Sequence, residues 1–574
     1  MKHLMIFSIG PVQDFIATAR RSRDLWYGSW MLSELSRAAA KQVVEHPGSL
    51  VFPVNPESIL NVPNKIVAIV EGEPKSFGDQ VRGAVSARMN ELGKDAFDQV
   101  KANTYNKPLA EEQIKGLPEF YWVSVPLDEN DYAGTRNQAE ALLAARKVTR
   151  NFMQALGDNV PKSSLDGARE SVIPESEYPK KDDKDKLKKI RKLYDNYHAR
   201  QGERLSGVDI LKRMGEAKSA PEFKSTSHMA ALPFMEKIGD AKSKKLIAEI
   251  RQLFEDAGWD IGEHDNGALL YESRLADWIP AGDEQDKLRK DFNTILEKHV
   301  GKSQPGPYYA LLAADGDNMG VVIDAQKDIQ AHRDLSQALS EFAAEAPKIV
   351  GRQNGLLIYS GGDDVLAYLP LNKALECAKE LESAFRAKIP EKFKTEKDGQ
   401  EIRPTLSIGI VIAHHLEPLS DVLDLARNAE RKAKEIEGKN GLAITLSKRG
   451  GADRTISGKW GAFDKRLKQL VDFAESDAIS AGTAYELQEL HRVLSETTIP
   501  AKGLAQEARR IVGRKQESGG GKAIDEEKVR KVFDHWLDPD KDNIALNELA
   551  KEMIVARMFA GDSQPVEEQA EVQS

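Results

Sequence analysis

The chain has 574 residues, which predicts about three or four domains. With 40% hydrophobic and 30% charged residues it reads as a soluble globular protein, and no apolar run reaches the ~18 residues of a membrane span. The net charge of −9 excludes a uniformly basic nucleic-acid surface, so any RNA contact is expected to be local or shared with another chain. A single cysteine, Cys377, excludes a disulfide framework and a cysteine zinc site, and a cytoplasmic location is expected. There is no GxxxxGK[ST] loop, which argues against a P-loop ATPase.

Residues 3–9 read as an apolar strand that ends at Gly10 and Pro11, so MKHLMIFSIGP is a first strand and not a signal peptide. A long helix is expected over 12–45, a strand over 65–70 (KIVAIV), a helix over 75–104, a strand over 119–125 (EFYWVSV) and a helix over 133–157. With allowance for one missed strand, this βαβαβα order predicts an α/β (α+β) sandwich of ferredoxin-like type. Residues 158–300 are charged and mostly helical, and KKDDKDKLKKIRK (180–192) reads as a solvated helix or loop.

The scheme repeats over 308–446. Its strands are expected at 308–314, 356–360, 365–369, 405–412 and 442–446, and its helices near 331–347, 371–388 and 418–437. The remainder reads as a helical domain in which ESGGGK (517–522) is a flexible loop and the tail from Asp562 is polar and disordered. The expected domains are 1–157, a first palm-like unit; 158–300, helical; 301–454, a second palm; and 455–574, C-terminal helices.

Two runs carry chemistry. In GLLIYSGGDDVLAYL (355–369), apolar strands flank Gly361, Gly362, Asp363 and Asp364, the pattern of a β-hairpin with two carboxylates at its tip. The glycines admit positive φ and leave room for a phosphate, and the aspartates suit a hard cation such as Mg²⁺. In YYALLAADGDNMGVVI (308–323), a second apolar strand ends in Asp315, Gly316 and Asp317, and Asn318 leads towards a helix. The spacing between Asp315 and Asp363 fits a strand, a helix and a return strand, which would set the two carboxylates on adjacent strand ends. Such a pair clamps one or two divalent ions, about 3.5–4 Å apart where there are two, for in-line phosphoryl displacement. Asp315, Asp363 and Asp364 are the expected metal ligands and reacting centre, with Asp364 alternatively a general base. Asp317 is either a fourth ligand or a turn residue. Ser360, Gly361 and Gly362, together with Gly316 and Asn318, are expected to contact nucleotide.

The Gly-Gly-Asp-Asp hairpin and the preceding Asp-Gly-Asp resemble the palm of GGDEF-type nucleotide cyclases. The ordered set FSIGPVQDFIATARRSRDLWYGSWMLS (7–33), NVPNKIVAIV (61–70), SSLDGARESV (163–172), GERLSGVDILKR (202–213), STSHMAALPF (225–234), ADGDNMG (314–320), HRDLSQALSEFA (332–343), YSGGDDVLA (359–367) and RPTLSIGIVIAHH (403–415) resembles more closely the large polymerase/cyclase subunit of type III CRISPR effector complexes, the Cas-ten family, in its type III-B (Cmr) form. The likeness spans roughly residues 1–450.

The resemblance implies two facing palms, the first degenerate, with Ser8, Gly10 and Gln13 where the second has Asp315 and its neighbours, and a role in holding a second nucleotide. It implies that Lys439, in EGKNG, meets a triphosphate, although a solvated lysine at a helix C-terminus is the plain alternative. Arg20, Arg21 and Arg23 either meet phosphate or RNA or form a solvated face. Where related chains carry a zinc knuckle, this one has Ser163, Ser164, Ser206 and Val208, so no structural zinc is expected. The family's N-terminal HD nuclease domain is expected to be missing, and the one His-Asp dipeptide, His264-Asp265, lies in a turn-like context. The implied activity is metal-dependent (Mg²⁺ or Mn²⁺) joining of ATP into cyclic oligoadenylate, or of ATP with S-adenosylmethionine. It would be triggered when guide RNA pairs with target RNA in a complex with other protein subunits and no membrane. The alternatives are a non-catalytic scaffold subunit and a stand-alone GGDEF-type cyclase.

Overall fold

Apolar residues dominate β1 (Lys2–Gly10), and a computed structural model of the protein places this strand at the centre of a sheet. The structure describes residues 1–45, 48–58, 60–101, 104–149, 160–180, 183, 185–217, 220–259, 266–279, 282–389, 391–397, 399–494, 501–517, 526–537 and 545–561. His264-Asp265, nearly all of the glycine loop at 517–522 and the tail from Asp562 lie outside them.

After β1 come α1 (Gln13–Ala17), α2 (Ser22–Glu45), β2 (Gly48–Phe52), β3 (Lys65–Glu71), α3 (Pro74–Asp98), α4 (Lys107–Lys115), β4 (Glu119–Pro126) and α5 (Tyr132–Val148). The strands form one sheet in the order β2-β3-β1-β4. β2 is the missed strand. The single helix expected over 12–45 breaks at residues 18–21, where the Lys212 ammonium takes the carbonyls of Phe15 and Thr18. The helix expected over 75–104 stops at Asp98, and α4 begins afresh under the cap of Asn106, whose side chain accepts from Leu109 N at 3.2 Å.

The middle of the chain is helical: α6 (Lys186–Tyr197), α7 (Gly207–Met214), α8 (Thr226–Ile238), α9 (Asp240–Asp256), α10 (Leu275–Trp278) and α11 (Asp283–Val300). α7 is buried on every side. Ser206 caps it reciprocally with Asp209, and the Asp209 carboxylate accepts from the Ser206 hydroxyl (2.7 Å), the Ser206 N–H (2.8 Å) and the Ser163 hydroxyl (2.6 Å). Two of the serines at the knuckle positions therefore converge on one carboxylate. From the same helix Arg213 reaches Asp24 (2.8 Å) and Glu203 (2.6 Å) in the interior.

The second unit runs β5 (Tyr308–Asp317), α12 (Met319–Asp324), α13 (Ile329–Arg352), β6 (Leu356–Ser360), β7 (Val365–Leu369), α14 (Ala374–Lys388), the small hairpin β8 (Thr395–Lys397) and β9 (Gln400–Ile402), β10 (Thr405–His414), α15 (Leu419–Lys434), β11 (Gly441–Leu446) and β12 (Arg454–Lys459). Its sheet order is β12-β11-β10-β5-β7-β6. The inner strands β6-β7-β5-β10 repeat, in order and connection, β2-β3-β1-β4, so both units are ferredoxin-like. β12 extends the sheet to Lys459, past the expected boundary at 454; only Ile456 of this edge strand is buried, so it lacks an apolar run. Helices α16 (Phe463–Glu475), α17 (Ala481–Leu494), α18 (Ala501–Glu517), α19 (Glu526–Trp536) and α20 (Leu546–Phe559) close the described chain.

The palms pack reciprocally: α2 lies against β6 and α13 against β2. Hydrogen bonds fix the seam. Arg333 Nε donates to Leu50 O (3.0 Å), Val54 N to Ser336 Oγ (3.1 Å), and the buried Arg136 to the carbonyls of Gln326 (3.0 Å) and Asp324 (2.9 Å). One large core joins α2, α3, the middle helices and one face of the second sheet; another fills the opposite face of that sheet, under α13, α14 and the C-terminal helices.

Candidate active site

Asp315 stands near the end of β5, where Ala314 pairs with Val365, the first residue of β7. The hairpin tip therefore overhangs Asp315. Gly316 makes the approach possible: a Cβ there would come within 2.7 Å of the Asp363 Cβ and of the Met319 side chain. Gly362 has φ +100° with open space around it, a conformation that favours glycine. Gly361 lies against the Tyr359 ring, with no room for a side chain.

Asp315, Asp363 and Asp364 each offer a carboxylate oxygen, and these oxygens lie within 4.8 Å of one another. Oxygens bound to one Mg²⁺-like ion at about 2.1 Å, or to a larger ion at up to 2.6 Å, are at most about 4–5 Å apart, so the three fit a shared cation. Burial pushes Asp363 up to about 6. Burial, then the charges of Asp363 and Glu430, push Asp364 well above the usual carboxylate range. These groups are short of positive charge, which a divalent cation would supply.

Helix α15 brings the site its basic side chain. Neither Gly409 on β10 nor Gly441 on β11 has room for a Cβ against the α15 backbone, so the helix lies directly on the sheet. Lys434, in its last turn, forms an ion pair with Asp315 and reaches Glu430 at 3.2 Å. Burial, then the charge of Lys439, lowers Lys434 to about 8, while burial and then Asp317 raise Glu430.

Asp317 is placed differently from the three clustered acids. It is fully buried, and its carboxylate accepts from Thr405 Oγ1 (2.7 Å), Ser407 Oγ (2.8 and 2.9 Å) and Asn440 N (3.0 Å). Those bonds tie β5 to β10 and to the turn after α15, and the carboxylate cluster does not include it. Lys439 sits in that turn, with φ +54° at both Lys439 and Asn440. The Ser360 hydroxyl faces inward, donating to Ala343 O at 3.3 Å, and so holds the hairpin to α13. Asn318 adopts φ +61° and starts α12.

In the first palm, Ser8 is buried and pairs with Lys65, whose ammonium reaches Glu140 of α5; Ser8 thus faces the following helix, as Asp315 faces α15. Gly10 ends β1, and Gln13 opens α1, exposed. The three arginines do not form a simple solvated face, although Arg20 stays exposed. Arg20, Arg21 and Arg23 donate to the carbonyls of Ser164 (3.0 Å), His198 (2.7 Å) and Gly215 (2.9 Å), docking the first palm on the middle helices.

Sequence reasoning missed Lys434, Glu430, Thr405 and Ser407. A signal existed for each pair: Thr405 and Ser407 are polar at alternate positions of an otherwise buried strand, and Glu430 and Lys434 are four apart on one helix face.

The fold and site define a two-palm protein with, among the described residues, one acidic centre, in its second palm. Residues 308–443 match the family model described as Cas10/Cmr2, second palm domain, and residues 4–96 match CRISPR-associated protein Cmr2, N-terminal. The Cmr subunit Cmr2 of Pyrococcus furiosus is 28% identical over 551 aligned residues, which take in 78% of this chain and 62% of the relative. The chain thus spans about three fifths of that relative's length. Two solved structures share the fold. The apo state of type III-B Cmr-beta matches with TM-score 0.65 and 14% identity, over 98% of this chain and 82% of the other. Cmr-beta bound to cognate target RNA matches with TM-score 0.64 and 15% identity, over 97% and 83%. The chain thus resembles Cas10/Cmr2 proteins in both its N-terminal unit and its second palm, and it shares its fold with type III-B Cmr-beta structures.

Proposed function

We propose that the chain is the signalling nucleotide synthase subunit of a type III-B antiviral complex, joining ATP by metal-dependent nucleotidyl transfer. The observation that carries this reading is the convergence of Asp315, Asp363 and Asp364 at the strand ends of the second palm. Mg²⁺ or Mn²⁺, held by these three carboxylates, would polarise the α-phosphate and lower the pKa of an attacking 3′-hydroxyl.

The chain's own residues do the rest. Gly316 lets Asp363 close on β5, and Gly362 leaves the hairpin backbone bare on the side where phosphates approach. Where Asp364 does not ligate the ion, its proton affinity, raised by burial and by Asp363, lets it instead accept the hydroxyl proton. Lys434 and Lys439 offset charge as pyrophosphate leaves. Asp317 holds the turn that carries Lys439, a positioning role. Ser8, Gly10 and Gln13 of the first palm lie with the second nucleotide. The product is cyclic oligoadenylate, or an adduct of ATP with S-adenosylmethionine, made when guide RNA in the assembled complex pairs with target RNA. The Cmr-beta structure with cognate target RNA supports the partner reading by likeness. No helix among the described residues is long and apolar enough to cross a membrane.

The test is product formation from radiolabelled ATP with Mg²⁺ or Mn²⁺, with and without S-adenosylmethionine, by the chain alone and by its guide-RNA complex with target RNA. Target-dependent products that vanish in the Asp363→Ala, Asp364→Ala double variant are expected. A complex that binds target RNA yet yields no product under any of these conditions is a scaffold.

A further inference from the structure

Lys434 occupies an unusual place. It projects from the last turn of α15 into the acidic centre, where its ammonium pairs with Asp315 and lies 3.2 Å from Glu430. The three side chains are largely shielded, with relative exposures of 24, 31 and 19% for Lys434, Asp315 and Glu430, so their charges are screened less than surface pairs. The placement depends on the two glycines that let α15 lie on β10 and β11.

We propose that Lys434 is the resting counter-ion of the acidic centre, its ammonium bridging Asp315 and Glu430 until a divalent cation displaces it. This rests on reading Asp315, Asp363 and Asp364 as ligands of that cation. An ion on the Asp315 carboxylate stands about 2.1–2.6 Å from its oxygen. The ammonium cannot keep the same contact beside a double positive charge in a partly desolvated site. Lysine suits such an exchange, because a compact charge on a flexible four-carbon stem moves away without rearranging the backbone. Glu430, one turn back on the same face, gives the ammonium a second anchor and so sets how far it retreats. The consequence is that Lys434 competes with the metal, and its removal strengthens metal binding although a positive charge also useful to the phosphates is lost.

The experiment measures free Mn²⁺ by electron paramagnetic resonance during titration of the full chain, without nucleotide. The proteins are wild type, Lys434→Met, Lys434→Gln, Lys439→Met and the Asp363→Ala, Asp364→Ala double variant. Lys434→Met and Lys434→Gln are expected to bind Mn²⁺ about fivefold more tightly, the size of one displaced ion pair. Lys439→Met, which removes a nearby charge without contacting Asp315, is expected to change affinity less than about twofold. Equal tightening in Lys434→Met and Lys439→Met would mean a general field effect and overturn the inference, as would no tightening in either Lys434 variant. Undiminished Mn²⁺ binding in the double aspartate variant would instead show that the ion sits elsewhere, and the metal reading would fail with it.

Discussion

Asp363 and Asp364 are costly residues in the metal-free protein. Burial raises the Asp363 pKa to about 6, against about 3.9 in an unfolded chain. Below about pH 4 both states carry the proton and nothing is lost. Between about 4 and 6 the unfolded chain releases it first, and stability falls as pH rises. Above 6 the folded state bears the full cost, on the order of 2–3 kcal/mol. Asp363→Asn is therefore expected to raise the melting temperature in chelator at pH 7.5, with the gain fading towards pH 4 and shrinking when Mn²⁺ is added to both proteins. Melts that show the same difference at both pH values would contradict it. The acids themselves were legible in the sequence, since Asp363 and Asp364 are neighbours in a hairpin whose glycines and flanking strands are local signals. Their partners were not: Lys434, Glu430, Thr405 and Ser407 come from elements that only the folded sheet brings to Asp315. For the same reason the sequence leaves Asp317 open between ligand and turn residue, since its hydroxyl cradle on β10 belongs to another strand.

Elements were legible where their apolar period is strong, as in β1, β3, β5, β6, β7 and β10, all found close to where the pattern placed them. They were missed where tertiary contacts decide. The break between α1 and α2 is held by Lys212, nearly two hundred residues away, and β12 is an edge strand with one buried side chain. In the α7 segment two serines share one buried carboxylate. Ser163 and Ser206 both donate to the buried Asp209, which also caps the helix that carries Lys212 and Arg213 into the interior. Removing that acceptor leaves two hydroxyls and a backbone N–H without their partner, which costs about 1–3 kcal/mol for the buried set. Asp209→Ala is expected to lower unfolding free energy by that amount in a denaturant titration. A zinc chelator is expected to leave the wild-type midpoint where it was; a midpoint that drops on chelation would show that a metal shares this node.

At the scale of the whole molecule the two palms are copies of one topology locked by reciprocal helix–sheet contacts, and the seam combines apolar packing with a polar cluster. Tyr132 of α5 hydrogen-bonds His332 Nδ1 of α13 at 2.7 Å, with Arg136 beside them and Phe52 stacked on the imidazole. Burial, then the charges of Arg136 and Lys65, lower His332 to about 4. His198, His228 and His414 are likewise depressed to about 4, and His415 to about 3, with burial the largest cause in each. Of these five, His332, His198 and His415 contact a neighbouring unit, so acid acts on the joints between the first palm, the middle helices and the second palm. The direction follows from proton uptake. An unfolded histidine binds its proton near pH 6.5, whereas these bind near 3–4 when folded, so the unfolded state gains protons first and stability is lost as pH falls from 6.5 towards 4. At pH 5 each fully shielded one contributes about 2 kcal/mol of loss, and the half-exposed ones less. The protein is expected to melt at a clearly lower temperature at pH 5 than at pH 7, against the trend expected from Asp363 alone. His332→Gln is expected to weaken that dependence by close to one proton's worth, measured as the slope of unfolding free energy against pH. If the slope between pH 5 and 6.5 is the same in His332→Gln as in wild type, the palm seam is not where the acid sensitivity resides.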